Sequence, residues 1–138
     1  MSNKKTIVIA DDEPFILSAV NDTLSDDYNV ITATNGKSAL TMIRKHKPDM
    51  VVLDVMMPEM DGVEVVRELK NDETLAYIPV ILLTAKGQMM DIEKGFKSGV
   101  NAYMVKPFSP EKLMEKIEEL FEVEKMKEKV TKARVAKK

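Results

Sequence analysis

The chain has 138 residues, enough for one hydrophobic core and too few for two comfortable ones. Its residues are 44% apolar and 32% charged, which excludes a disordered polymer, and a net charge of −2 argues against a chain built as a whole to bind nucleic acid. Cysteine is absent, which excludes disulfides, thiol chemistry and cysteine-based zinc sites.

In chain order, the first residues lead into an apolar run at 6–10, too short for a signal peptide, that holds Ile7-Val8-Ile9. Phe15, Leu17, Ala19, Val20 and Leu24 follow at helical spacing. A second run at 28–33 precedes Ala39, Leu40, Met42 and Ile43, and a third at 50–54 precedes Val63, Val65, Val66 and Leu69. The fourth run, 79–84, leads to a helical segment through Met89, Ile92 and Phe96. The fifth, 102–106, leads to Leu113, Ile117, Leu120 and Phe121 at three-and-four spacing.

The runs Ile7-Val8-Ile9, Val51-Val52-Leu53 and Val80-Ile81-Leu82-Leu83 are continuous rather than alternating, which suits strands covered on both faces of a parallel sheet. Ser109-Pro110-Glu111 supplies a capping hydroxyl, a proline at the first helical position and an acid in the first turn. Asp61-Gly62 opens the third helix, and Gly99 stands at the exit of the fourth. Five β-α repeats with right-handed crossovers predict a doubly wound α/β sheet with helices on both faces. No run approaches the roughly 20 apolar residues of a membrane helix, so a cytoplasmic location is expected.

In such folds the functional crevice lies at the carboxyl ends of the strands. The first strand ends in Asp11-Asp12, the third in Asp54, the fourth in Thr84-Ala85 and the fifth in Lys106-Pro107. Three carboxylates, a hydroxyl and an ammonium are thus expected in one crevice. Taken singly, an aspartate after a strand is usually a turn former or helix cap; the weight lies in polar residues ending four of five apolar strands. Neighbouring carboxylates repel by roughly 1 to 4 kcal/mol per pair at effective dielectrics of 80 to 20. Lys106 offsets part of that, and a divalent cation would offset the rest; an all-oxygen site suits Mg²⁺ better than zinc. A carboxylate beside a metal and a lysine is also what phosphoryl transfer to aspartate requires.

These segments resemble the receiver domains of two-component response regulators. They are Ile7-Val8-Ile9-Ala10-Asp11-Asp12-Glu13-Pro14, the stretch from Pro48 through Asp54 to Asp61-Gly62, Ile81-Leu82-Leu83-Thr84-Ala85, and Asn101-Ala102-Tyr103-Met104-Val105-Lys106-Pro107-Phe108. The resemblance implies a flavodoxin-like (βα)5 fold with strand order 2-1-3-4-5 over residues 1–121, followed by a basic helical extension or linker at 122–138. It implies that Asp54 is the phospho-acceptor. Mg²⁺ would be bound by Asp12 and Asp54 directly, by the Met56 backbone carbonyl, and by Asp11 largely through water. Lys106 would pair with the phosphoryl group, Thr84 would move to hydrogen-bond it, and Tyr103 would change rotamer with Thr84. Lys106-Pro107 is expected to be cis. The implied donor is a histidine kinase or phosphotransfer protein, and the readout is the face of the fourth helix, fifth strand and fifth helix toward a downstream effector. The implied assembly is a monomer or a weak phosphorylation-dependent dimer. Met56 and Lys86 stand two residues after Asp54 and Thr84, flanking the path of an attacking water in the family. Methionine orients water poorly, so self-dephosphorylation is expected to be slower than in Met56→Asn.

An enzyme with an aspartyl-phosphate intermediate would need a second acid near the nucleophile, where Met56 stands, and a substrate cap that the short loops do not provide. A flavodoxin-like cofactor binder would need a Gly/Ser/Thr-rich phosphate loop, where Asp-Asp-Glu-Pro stands instead. The expectation is therefore a signalling module, not an enzyme acting on an outside metabolite. Gly36-Lys37-Ser38 lacks the upstream glycine of a P-loop, since Ile31 occupies that position, and reads as a turn and helix start. The single histidine, His46, near the end of the second helix, reads as a helix-dipole contact.

The stretch 122–138 holds seven Lys/Arg and three Glu, a balance of +4, which leaves −6 for the remainder. Val123, Met126, Val130 and Ala133 continue helical spacing there. This tail reads as a frayed extension of the fifth helix, a linker, or a partner-binding helix; its charges are too few to make nucleic acid an expected partner.

Overall fold

The apolar runs pair into one five-stranded parallel sheet in the order β2-β1-β3-β4-β5. The strands are β1 (Thr6–Ala10), β2 (Asn29–Ala33), β3 (Met50–Asp54), β4 (Val80–Ala85) and β5 (Ala102–Lys106). The helices are α1 (Pro14–Leu24), α2 (Gly36–His46), α3 (Gly62–Lys70) and a C-terminal helix, Pro110–Ala136. This computed structural model describes residues 4–85 and 99–136, the side chains of 133–136 excepted. The segment with Met89, Ile92 and Phe96, and the neighbouring Lys86, lie outside the described residues.

Strand bounds differ from the apolar pattern by one residue at three ends, one of them the continuation of β4 to Ala85. Pro79 has no N–H for the ladder, so β4 begins at Val80. Tyr28 stays out of β2, its ring centroid 5.7 Å from that of Phe121. The C-terminal helix runs unbroken across the boundary expected at 121/122. No helix among the described residues is long and apolar enough to cross a membrane.

Alternation along each strand divides the core into two layers. Val8, Ala10, Val51, Leu53, Val80 and Leu82 pack with Ala39, Leu40 and Ile43 of α2 and Val65, Val66 and Leu69 of α3. Ile7, Ile9, Met50, Val52, Ile81 and Leu83 pack with Leu17, Val20 and Leu24 of α1 and Leu113 and Ile117 of the C-terminal helix. Every residue of β3 is buried, whereas every residue of the edge strand β5 is half-buried.

Side-chain caps fix where three helices start. Asn35 accepts from the Ser38 N–H at 2.8 Å, Asp61 from the Glu64 N–H at 2.8 Å, and Ser109 Oγ from the Lys112 N–H at 3.1 Å. Gly62 folds the loop after β3 back onto the strand end. Its N–H donates to the Val55 carbonyl at 2.9 Å, and a Cβ there would overlap the Asp54 carbonyl oxygen. Lys106–Pro107 is a cis peptide.

Candidate functional site

Strand parity decides which polar ends share a face. Ile7 and Ile9 face the α1 layer, so Asp11, continuing the same alternation, does too. Met50 and Val52 put Asp54 on that face, and Ala102 and Met104 put Lys106 there. Val80 and Leu82 face the α2–α3 layer, so parity gives Thr84 to that layer, alongside Tyr103. Thr84 is fully buried, and its hydroxyl donates to the Ala85 carbonyl at 3.4 Å.

β1 and β3 are adjacent, so Asp11 and Asp54 meet directly. Lys106 comes from β5, with β4 between it and β3. Two strand spacings are about 10 Å, a span that a lysine and an aspartate side chain close together. Lys106 pairs in register with Ala85, whose single methyl leaves the crossing open. Lys106 Nζ lies 2.8 Å from Asp11 Oδ2, 3.1 Å from Asp54 Oδ2 and 3.3 Å from Glu13 Oε1. Asp12 is exposed at the rim, and carboxylate oxygens of Asp11, Asp12 and Asp54 lie within 4.8 Å of one another.

Among the described residues, three carboxylates thus contact the Lys106 ammonium, and Asp12 adds a fourth to the cluster. Burial pushes the Asp54 carboxyl up to about 6 from an ordinary 3.8, and the Asp11 charge adds to the rise. The hydrogen bond and charge of Lys106, and a backbone hydrogen bond from Met56, work against it. Burial alone would lower Lys106, but hydrogen bonds and charges from Asp54 and Asp11 outweigh it and hold the ammonium above its usual range. Lys106 therefore stays a cation at any physiological pH.

The Asp11 carboxylate has the surroundings of a cation ligand. Asp11 Oδ1 accepts the Glu13 N–H at 2.9 Å, and buried Asp11 Oδ2 is met by the Lys106 ammonium at 2.8 Å, which it shares with Asp54 and Glu13. A buried carboxylate oxygen within 4.8 Å of oxygens from two more aspartates, with one ammonium shared among them, suits a hard divalent cation with oxygen ligands.

Glu13 is a site residue that the strand-end reading did not assign. It joins through the turn from β1 into α1, donating its N–H to Asp11 and accepting from the Lys106 ammonium through its carboxylate. Its place directly after Asp11-Asp12 was the available signal. The Met56 side chain is 61% exposed, and its backbone faces the Asp54 carboxylate. Beside the acids, a cavity of about 450 Å³ is lined by Glu13, Phe15, Ile16, Lys106, Pro107 and Phe108, with Phe15 84% exposed.

The sequence model of the response regulator receiver domain matches residues 7–118. A probable transcriptional regulator, ycf27, of Cyanophora paradoxa is 44% identical over 119 residues, covering 86% of this chain and 48% of that protein. The alkaline phosphatase synthesis transcriptional regulatory protein PhoP of Bacillus subtilis is 40% identical over 108 residues, covering 78% of this chain and 44% of that protein. The chain spans about half the length of the curated relatives it matches. Among solved structures, the chemotaxis response regulator CheY4 of Vibrio cholerae superposes with a TM-score of 0.79 at 30% identity, covering 85% of this chain and 98% of that one.

Proposed function

This chain belongs to the response regulator receiver domain family of two-component systems, and we propose that it accepts a phosphoryl group on Asp54 in a Mg²⁺-dependent reaction. The observation that carries this reading is the buried Asp54 carboxylate held 3.1 Å from Lys106 Nζ amid two further aspartates. An Asp54 oxygen attacks the donor phosphorus; the bond from phosphorus to the leaving acyl oxygen or imidazole nitrogen breaks, and the leaving group departs with that electron pair. Lys106, fixed as a cation, pairs with a phosphoryl oxygen in place of the carboxylate. Asp12 and Asp54, the Met56 carbonyl, and Asp11 through water are the residues that would hold Mg²⁺. When bound, it neutralises phosphoryl and carboxylate oxygens. The Thr84 hydroxyl exchanges its weak bond to Ala85 for a phosphoryl oxygen, and Tyr103, on the same sheet face, follows it.

A receiver domain is a signalling module rather than an enzyme of outside metabolites; the finer chemistry proposed here is self-phosphorylation from small donors and self-dephosphorylation. The protein donor is a histidine kinase or phosphotransfer protein. The exposed Phe15 and the apolar cavity beside Lys106 support a protein-sized donor at that end of the sheet. Phosphorylation then switches the face formed by β5, the C-terminal helix and the fourth-helix segment expected from the sequence, which binds a downstream effector, and the location is the cytoplasm.

The test is incubation with Mg²⁺ and acetyl phosphate, read by intact mass. Gain of one phosphoryl mass that disappears with chelator and in Asp54→Ala is expected. An equal gain in Asp54→Ala would overturn the assignment.

A further inference from the structure

The C-terminal helix outruns the domain it packs on. Among the described residues, Phe121 is the last side chain it sets against the α1 layer; Lys5 Nζ lies 5.3 Å from that ring's centroid, and Tyr28 packs against it. Lys5 and Tyr28 precede β1 and β2, so the helix leaves the sheet at the edge opposite Asp54. Beyond it, Val123, Met126 and Val130 are 41%, 65% and 50% exposed, and they make up three of the six large exposed apolar side chains among the described residues. Steps of three and then four residues keep them on one stripe of the helix.

We propose that this stripe is a seam on which a second copy of the chain pairs its own helix in parallel. In heptad terms Val123 and Val130 take the first core position and Met126 the second. A β-branched residue at the first core position with leucine at the second favours two parallel strands, and Met126 shares with leucine a Cβ that carries no branch. The flanking charges select the direction. Parallel pairing sets Glu122 of each copy against Lys127 of the other, twice by symmetry. Antiparallel pairing that layers Met126 on Val130 sets Lys127 against Lys127 and Lys129 against Lys129. Within a single helix Lys127 sits 3.5 Å from Glu124, exposed and able to exchange that contact for Glu122 of the second copy. The next flanking pair by sequence register, Lys129 with Arg134, is like-charged, and the seam is only about two heptads long. The association is therefore weak and concentration-dependent.

The absence of native cysteine makes the geometry directly readable. Sedimentation equilibrium of the whole chain is expected to show a monomer–dimer equilibrium. Val123→Glu with Val130→Glu is expected to weaken it at least about tenfold, or about 1.4 kcal/mol. Glu122→Lys is expected to weaken it, and Glu122→Lys with Lys127→Glu to restore it. On oxidation Met126→Cys is expected to cross-link to itself far faster than Lys125→Cys, which lies off the stripe. All these sites are exposed, and circular dichroism with acetyl phosphate labelling checks that each variant still folds and works. A monomer at every concentration, equal cross-linking at 125 and 126, or preferential cross-linking of Met126→Cys to Val130→Cys in a mixture would each overturn the parallel seam.

Discussion

Replacing Asp54 by asparagine tests whether the acidic site is held against the fold's own stability. The folded protein raises this carboxyl from 3.8 to about 6. Each unit corresponds to about 1.4 kcal/mol, so ionised Asp54 costs about 3 kcal/mol of stability at neutral pH without a cation. The substitution does not orphan Lys106, which keeps Asp11 at 2.8 Å and Glu13 at 3.3 Å. Asp54→Asn should therefore be more stable than the unmodified chain by about 1 to 3 kcal/mol at pH 7 in chelator. The sign follows from the direction of the shift. Between pH 3.8 and about 6 the folded state binds more protons than the unfolded chain, so stability falls as pH rises through that window. Below it Asp54 is protonated in both states and the penalty vanishes; above it the penalty is complete. Urea unfolding at several pH values should show the advantage of the variant opening as pH rises and holding constant above 7. Mg²⁺ should then close the gap by stabilising only the unmodified chain, by about 2.7 kcal/mol at a hundred times its dissociation constant. A variant less stable at pH 7, or an advantage of equal size at pH 4 and 7, would refute the reasoning.

Lys106→Met removes the ammonium that contacts Asp11, Glu13 and Asp54. Urea unfolding in chelator should show a loss of about 2 to 4 kcal/mol at pH 7, smaller at pH 5 where Asp54 takes up a proton. Gly62→Ala drives a methyl into the Asp54 carbonyl and should cost about 3 kcal/mol. Gly99→Ala, whose nearest atoms would lie at an ordinary 3.5 Å, should stay within about 0.5 kcal/mol in the same assay. The Asp54-linked phosphoryl group should be lost more slowly from the unmodified chain than from Met56→Asn; timing the loss by intact mass checks this, and equal or faster loss in the unmodified chain would reject it.

The sheet was legible because its strands are covered on both faces: Val51-Val52-Leu53 and Val80-Ile81-Leu82-Leu83 have no polar side to turn to water. The polar strand ends were legible for the same reason, since each interrupts an apolar run. What chain order did not display was parity. Asp11, Asp54 and Lys106 share a face because each lies an even number of residues from a side chain of the α1 layer; Thr84 lies on the other parity. Ala85 gains its meaning only once β4 is known to stand between β3 and β5, where a larger side chain would bar Lys106. Glu13 joins through a turn, and turns carry no periodicity to read. In the tail, Glu, Lys and Met favour helix wherever they stand, so composition alone could not separate a frayed end from the continuous helix that runs to Ala136.

The same geometry bears on where a change at Asp54 would be felt. β3 is buried at all five positions, and tightly packed interiors do not yield to small displacements. β5 is an edge strand, half-buried throughout, bonded on one side to β4. Lys106 ends β5 and Thr84 lies next to the end of β4, in register with Val105 and one step from the Ala85–Lys106 pair. A new anion on Asp54 would pull on both residues at once, Lys106 from the α1 side and Thr84 from the other. The compliant β4–β5 edge would absorb that pull while β3 held still. Tyr103 sits on this edge, half-buried against the α2–α3 layer, on the same sheet face as Thr84.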